Sequence, residues 1–170
     1  MPLRTAQAGA AGPFSSPELG FRINFPVQPQ TAKSEKQTAS GLTRMVRYRA
    51  KDKAFRTALT VVTFSRGPFS RREMAMGLKH SRDNQVRSLK GELISERDIA
   101  IDGHPGKELL VAIGPPGKPR NFRYRVRTYY VQNRQYLISI IGTKKLVSSQ
   151  RSEDYFGSFA LIQPMKGAAQ

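Results

Sequence analysis

The segment FRYRVRTYYV, residues 122–131, places Arg123, Arg125 and Arg127 at every second position. Alternate side chains of a β-strand lie on the same face of the sheet, so these three guanidinium groups are predicted to form a row. Guanidinium groups in a row can bind carboxylates or phosphates, and a tyrosine on the same face can stack on a nucleobase. The segment GLTRMVRYRA, residues 41–50, repeats the pattern. The predicted partner-binding residues are Arg123, Arg125, Arg127, Arg47, Arg49 and Tyr129.

The arginine row is also compatible with a purely structural role, and the sequence leaves three such roles open. Charges on an outward strand face prevent edge-to-edge association of sheets. Glutamate or aspartate on a neighbouring strand can pair with the arginines. A covering helix can bury the aliphatic stems while the charged groups reach water.

The overall charge supports an acidic partner. The 170 residues include 29 Lys and Arg against 12 Asp and Glu, a formal net charge of +17. A positive field of this size attracts acidic proteins, anionic surfaces and nucleic acids without choosing among them. The chain has no cysteine, which excludes disulfides, thiolate catalysis and cysteine-ligated metal sites.

Catalytic patterns are weak. His104 with Asp102 can be imagined as a general base and its orienting group, but Asp102-Gly103 is also ordinary turn chemistry. GPPGKP, residues 114–119, lacks the hydroxyl residue of a phosphate-binding P-loop. The two histidines lack metal-ligand spacing, and no G-x-S-x-G motif is present. We therefore predict a non-enzymatic protein without a metal or cofactor, and keep an enzyme using His104 and Asp102 as an alternative.

The order of apolar and polar residues predicts the architecture. Three strands precede a long helix that opens with a capping box at Ser70 and Glu73 and stops near Gly91. Four strands and a closing helix around Tyr155 and Phe156 follow, giving the order β-β-β-α-β-β-β-β-α. Short connections favour antiparallel pairing, and strands that are apolar on both faces need cover on both sides. The predicted fold is α+β, an α/β/α sandwich with a largely antiparallel sheet of six to seven strands and one helix on each face.

Composition also predicts the boundaries of the domain. Residues 1–20, rich in Ala, Gly, Pro and Ser, are expected to be a flexible tail, residues 21–163 a single domain, and residues 164–170 a flexible C-terminus. Residues 27–40 are polar and are expected to be a loop. No apolar run reaches the roughly 20 residues of a membrane helix. The tripeptide Ala6–Ala8 resembles the end of a cleaved signal peptide, so an exported or periplasmic protein is favoured over a cytoplasmic one.

Four segments together resemble the PsbP-like fold superfamily, which is named for an extrinsic subunit of photosystem II. They are FRINFP, IAIDGHPGKEL, NRQYLISIIG and YFGSFALI, and the resemblance extends over about residues 21–163. The superfamily is similar to a Ran-GTPase-binding factor and to several bacterial envelope lipoproteins. The resemblance implies a compact binding domain that is commonly exported and commonly non-enzymatic. It assigns no functional residue.

The leading hypothesis is an accessory domain whose basic face docks an acidic protein or an anionic envelope surface. A nucleic-acid-binding protein that uses the same residues is the first alternative. The resemblance adds a second alternative, a chaperone-like binder of secreted or membrane segments.

Overall fold

The computed structural model describes residues 12–163. Three helices are present in this range: α1 (Arg71–Ser88), α2 (Lys144–Val147) and α3 (Gln150–Gly157). The strands are β1 (Pro13–Ser16), β2 (Phe21–Asn24), β3 (Gln30–Thr38), β4 (Gly41–Asp52), β5 (Phe55–Phe64), β6 (Glu92–Ile101), β7 (His104–Ile113), β8 (Phe122–Val131), β9 (Arg134–Thr143) and β10 (Ala160–Leu161).

Two antiparallel sheets organise the molecule. The larger has seven strands in the order β3-β4-β5-β9-β8-β7-β6, and the smaller has three in the order β1-β2-β10. Tight turns at Lys53, Asp102 and Gln132 adopt positive φ angles of 51°, 48° and 55° and join adjacent strands of the larger sheet. The predicted α+β fold with a large antiparallel sheet and helices on both faces is confirmed.

Several local predictions differ from the structure. Within the predicted loop, residues 30–38 form the edge strand β3, whose side chains are almost all exposed. No apolar alternation marks it because neither of its faces is covered. Within the predicted tail, Pro13–Ser16 form β1 because Phe14 packs on the core. Residues 1–11 and 164–170, to which the other tail predictions refer, lie outside the described residues.

Helix α1 covers part of one face of the large sheet. Its capping box forms as predicted, with the Ser70 side chain accepting from the backbone N–H of Glu73 and the Glu73 side chain accepting from that of Ser70. Buried Met74 and Leu78 pack on Tyr130 of β8. No helix within residues 12–163 combines the length and apolar character needed to cross a membrane.

The opposite face holds the main core, between the large sheet, the small sheet and α2–α3. Strand β2 contributes Phe21 and Ile23, and α3 contributes Tyr155 and Phe156, all almost completely buried. Ser149 caps α3 by accepting from the N–H of Ser152. At its other end, this closing helix stops at Gly157, earlier than predicted, and the chain continues into β10.

Candidate functional site

Two of the β8 arginines, Arg125 and Arg127, point toward α3 instead of solvent. Strand β8 pairs with β7 so that Arg127 lies opposite Glu108 and Arg125 opposite Leu110. The first turn of α3 brings Glu153 above the same strand. The side chains of Arg125 and Arg127 are only 11% and 18% exposed.

Glu108 is the centre of a compact ion-pair network. One of its oxygens, Oε2, lies 2.6 Å from Arg127 Nε and 3.1 Å from Arg125 Nη2. The other, Oε1, lies 2.9 Å from Arg97 Nη2 on β6. Glu153 adds a contact of 2.5 Å to Arg125 Nη1. Glu108 and Glu153 therefore bind the guanidinium groups that the sequence pattern of β8 had predicted to bind a partner.

The ring of Phe156 on α3 packs against both arginines of this network. The guanidinium carbons of Arg125 and Arg127 lie 4.9 and 4.7 Å from the centroid of the Phe156 ring, within the range of a cation–π interaction. Burial of Glu108 disfavours its ionised form, but the hydrogen bond from Arg127 and the positive charges of Arg125 and Arg127 outweigh burial and lower its pKa. The network therefore holds α3 against the sheet.

The remaining β8 residues of the predicted set are also occupied internally. Tyr129 is 6% exposed and stacks on Phe159 with ring centroids 6.1 Å apart. Arg123 Nη1 donates to the carbonyl oxygens of Arg120 and Phe122 at 2.6 and 3.0 Å. The expectation that the six predicted residues share one solvent-facing surface is wrong, because α2 and α3 cover the strand face that carries the β8 residues.

Arg47 and Arg49 lie on the other face of the sheet. Arg47 is opposite Thr60 of β5, and Thr60 is opposite Leu137 of β9, whose side chain packs on the α1 side. Helix α1 packs over β7 and β8, so the part of this face formed by β3, β4 and β5 lies beside the helix and not under it. We call this surface the basic platform, defined by Arg47, Arg49, Arg56, Met45, Ala58, Val62 and Leu137.

The basic platform contains a groove along the C-terminal half of α1. The groove has a volume of about 360 Å³, and Gln85, Ser88 and Leu89 form its helical wall. A wider depression of about 650 Å³, lined by Arg49, Arg56 and Gln30 among others, continues toward the sheet edge. The arginines therefore stand beside a floor that mixes apolar side chains, such as Val62 and Leu137, with the polar Thr60 and Ser139.

Arg47 is held in place without being neutralised. Its Nε donates to Thr60 Oγ1 at 3.3 Å, and its Nη2 approaches Met45 Sδ at 3.7 Å. Within the described part of the chain, Arg47, Arg49 and Arg56 take part in no ion pair. None of the residues that line the groove or the depression is Asp or Glu. The platform thus keeps its positive charge available.

Tyr124 closes the floor of the groove from β8. Its hydroxyl donates to Gln85 Oε1 at 2.9 Å and ties the strand to α1. Burial raises its pKa to about 12, although the Ser139 hydroxyl and the charge of Arg47 act in the opposite direction. The phenol therefore stays neutral near neutral pH and contributes no negative charge to the platform.

His104 and Asp102 lie at the turn between β6 and β7, away from the basic platform. They line a depression of about 510 Å³ together with Arg134 and Glu18. Among the hydrogen bonds of residues 12–163, none joins the side chains of Asp102 and His104, as a base with its orienting group requires. Nowhere in the described range do three His, Asp or Glu side chains cluster as a metal site.

The backbone arrangement has counterparts among solved structures. The solution structure of cyanobacterial PsbP (CyanoP) from Synechocystis sp. PCC 6803 superimposes with a TM-score of 0.60 over 95% of this chain and 98% of that chain, at 10% sequence identity. The fold is PsbP-like. A crystal structure from Bacteroides thetaiotaomicron VPI-5482 matches with a TM-score of 0.54 and 11% identity, over 91% of this chain and 50% of that one. No protein-family model and no curated protein matches the sequence.

The sequence pattern of β5 hid the part of the platform that this strand contributes. The pattern of β5 is apolar on both faces and predicts a strand that is covered on both sides. Yet on the face that carries Arg56, Ala58 and Thr60, the side chains at the centre of the strand are small or polar. That pattern, taken together with Arg47 and Arg49 on the next strand, is the signal of a partly open face.

Proposed function

We propose that this PsbP-like protein is a non-enzymatic accessory domain that binds an acidic protein through the basic platform. The observation that carries the proposal is the set of three arginines, Arg47, Arg49 and Arg56, that stand beside a partly apolar floor and make no ion pair within residues 12–163. The proposal moves the binding role of the predicted set from β8 to β4 and adds Arg56.

The combination of charge and apolar surface favours a protein over a simple polyanion. Complementary charges speed association and set specificity, whereas buried apolar contacts supply much of the affinity. Val62 and Leu137 on the groove floor add apolar surface to the groove that Arg47 and Arg49 also line. A nucleic acid would use the arginines and leave this floor without a partner.

Charge reversal on the platform tests the proposal. The double variant Arg47→Glu/Arg49→Glu is compared with Arg71→Glu/Arg72→Glu, which makes the same change in net charge at two exposed residues at the start of α1. Binding is measured by fluorescence anisotropy with a labelled peptide that alternates Glu and Thr. We expect the platform variant to bind about 30-fold more weakly at low salt, since each reversed pair costs roughly 1 kcal/mol. Equal weakening by both variants would refute a specific role for the platform.

Two further probes separate the acidic protein from other anions. Duplex DNA and vesicles containing phosphatidylglycerol are titrated against the wild type at several salt concentrations. A steep fall of log K with log salt for DNA, at about −0.9 per phosphate contacted, together with tighter binding than the peptide, would assign the platform to nucleic acid. Preferential binding of the vesicles would assign it to an anionic membrane surface.

A further inference from the structure

Strand β3 is an open edge beside the basic platform. It stands at one end of the seven-stranded sheet and pairs with β4 along all nine of its residues without interruption. Eight of the nine are exposed, and no strand within residues 12–163 pairs with its outer side. A regular edge of this length presents a row of backbone donors and acceptors to any extended chain.

The opposite edge of the same sheet is built differently. The pairing of β6 with β7 shifts between Leu93 and Ser95, which marks a bulge. A bulge twists an edge strand and interrupts its ladder, which is a common protection against strand addition. Strand β3 has neither a bulge nor a proline. Only one of the two edges is therefore regular enough to accept another strand.

We propose that an extended acidic segment of the partner adds to β3 as an eighth strand of the large sheet. The proposal rests on the proposed function for the charge of the partner, and it adds the conformation of the bound segment and the place where it binds. Backbone hydrogen bonds to β3 would supply affinity, and acidic side chains on the α1 side would reach the basic platform.

The side chains of β3 leave a passage from the new strand to the arginines. On the α1 side, Ala32 lies opposite Arg47 and Gln30 lies opposite Arg49. Neighbouring strands are about 4.8 Å apart, so a glutamate on the added strand lies roughly 10 Å from the β4 backbone. The small Ala32 leaves the space between them open. A glutamate opposite Ala32 therefore faces Arg47, and a second glutamate two residues away lies in register with Arg49, on the far side of Gln30.

Charge argues against a second copy of this chain as the added strand. Lys33 and Lys36 stand on the edge itself, and Glu35 is already paired with Arg44 at 2.8 Å. Each copy carries a net charge of +17, so two such edges repel each other. An acidic segment meets attraction at the same place.

Backbone methylation of the probe tests the added strand directly. The parent is the nine-residue peptide with alternating Thr and Glu, and two analogues carry N-methyl groups at its odd or at its even positions. In a strand, alternate N–H groups point toward and away from β3. We expect one analogue to bind at least tenfold more weakly than the parent and the other to bind within about threefold of it.

Amide hydrogen exchange of the wild-type protein measures the same contact from the protein instead of from the peptide. With the parent peptide bound, the outward-facing amides of β3 are expected to exchange at least tenfold more slowly, and those of β6 at an unchanged rate. Two methylated analogues that bind equally, whether both strongly or both weakly, would overturn strand addition, as would unchanged exchange in β3.

The two proposals fail differently. If the methylated analogues bind alike while Arg47→Glu/Arg49→Glu still loses the parent peptide, the platform stands and strand addition falls. If that variant binds the parent as the wild type does, the proposed function falls, and with it the charge argument for strand addition.

Discussion

Substituting Glu108→Gln removes one negative charge from the centre of the β8 network and changes little in volume. Two largely buried guanidinium groups, those of Arg125 and Arg127, then lose a charged acceptor at 3.1 and 2.6 Å. The amide keeps one carbonyl oxygen as an acceptor and replaces the other oxygen with an NH2 group, which can only donate. The substitution therefore isolates the electrostatic part of the contact between α3 and the sheet.

The expected loss of folding free energy follows from the burial of these charged groups. Breaking a buried ion pair by removing one partner costs about 3–5 kcal/mol, but Glu153 still contacts Arg125, and Arg97 is 61% exposed and loses little. We therefore expect unfolding to become easier by about 3 kcal/mol. For a domain of this size that corresponds to a fall in Tm of about 6–12 °C.

Urea unfolding at several pH values measures this cost. The pKa of Glu108 lies below its ordinary value of 4.5 in the folded protein, so its contribution is complete above pH 4.5 and disappears as the pH falls through the lowered pKa. The free-energy difference between wild type and Glu108→Gln should accordingly be full at pH 7 and should shrink below pH 4.5.

The exposed pair of Glu35 and Arg44 provides the control. Both side chains are more than half exposed, so Glu35→Gln should cost under about 1 kcal/mol at any pH. If Glu108→Gln cost no more than Glu35→Gln, or if its cost did not depend on pH, the network would not be what holds α3 on the sheet.

Three smaller perturbations test other parts of the fold. Ser70→Ala removes the cap of α1 and should cost about 1 kcal/mol in urea unfolding, whereas Ser70→Asp should restore most of it. Gly106→Ala should destabilise by about 1–3 kcal/mol, because the new Cβ would lie 2.5 Å from Tyr129 Cδ1 and 2.7 Å from Thr128 O; a stable variant would disprove this close approach. Ultraviolet titration should show one tyrosine fewer ionising near pH 12 in Tyr124→Phe, and an unchanged curve would contradict the burial of that phenol.

The sequence predicted the elements that have a strong periodic signal. The capping box at Ser70 and Glu73 located the start of α1, and the two-sided apolar strands predicted cover on both faces. Strand β3 had no such signal, since a strand without a covered face need not alternate. Its pairing comes from β4, so only the three-dimensional structure reveals it.

The candidate site was harder to predict than the fold. Alternation correctly put Arg123, Arg125 and Arg127 on one face of β8, but it cannot say which face a helix will cover. The partners that occupy two of them, Glu108 and Glu153, come from β7 and α3. Arg47 and Arg49 were assigned to the same surface only by their similar spacing, and the strand register places them on the opposite face.

Strand β2 pairs with β1 on one side and β10 on the other, so residues near both ends of the described chain lie only two strand spacings apart, roughly 10 Å. This arrangement suits circular permutation. A short Gly/Ser linker can join the region of Pro13 to that of Leu161, and new termini can open in the exposed loop of residues 114–121, which connects β7 to β8. A permuted protein of this kind would keep both sheets and would place no new chain end on β3 or β4, which carry the open edge and two of the platform arginines.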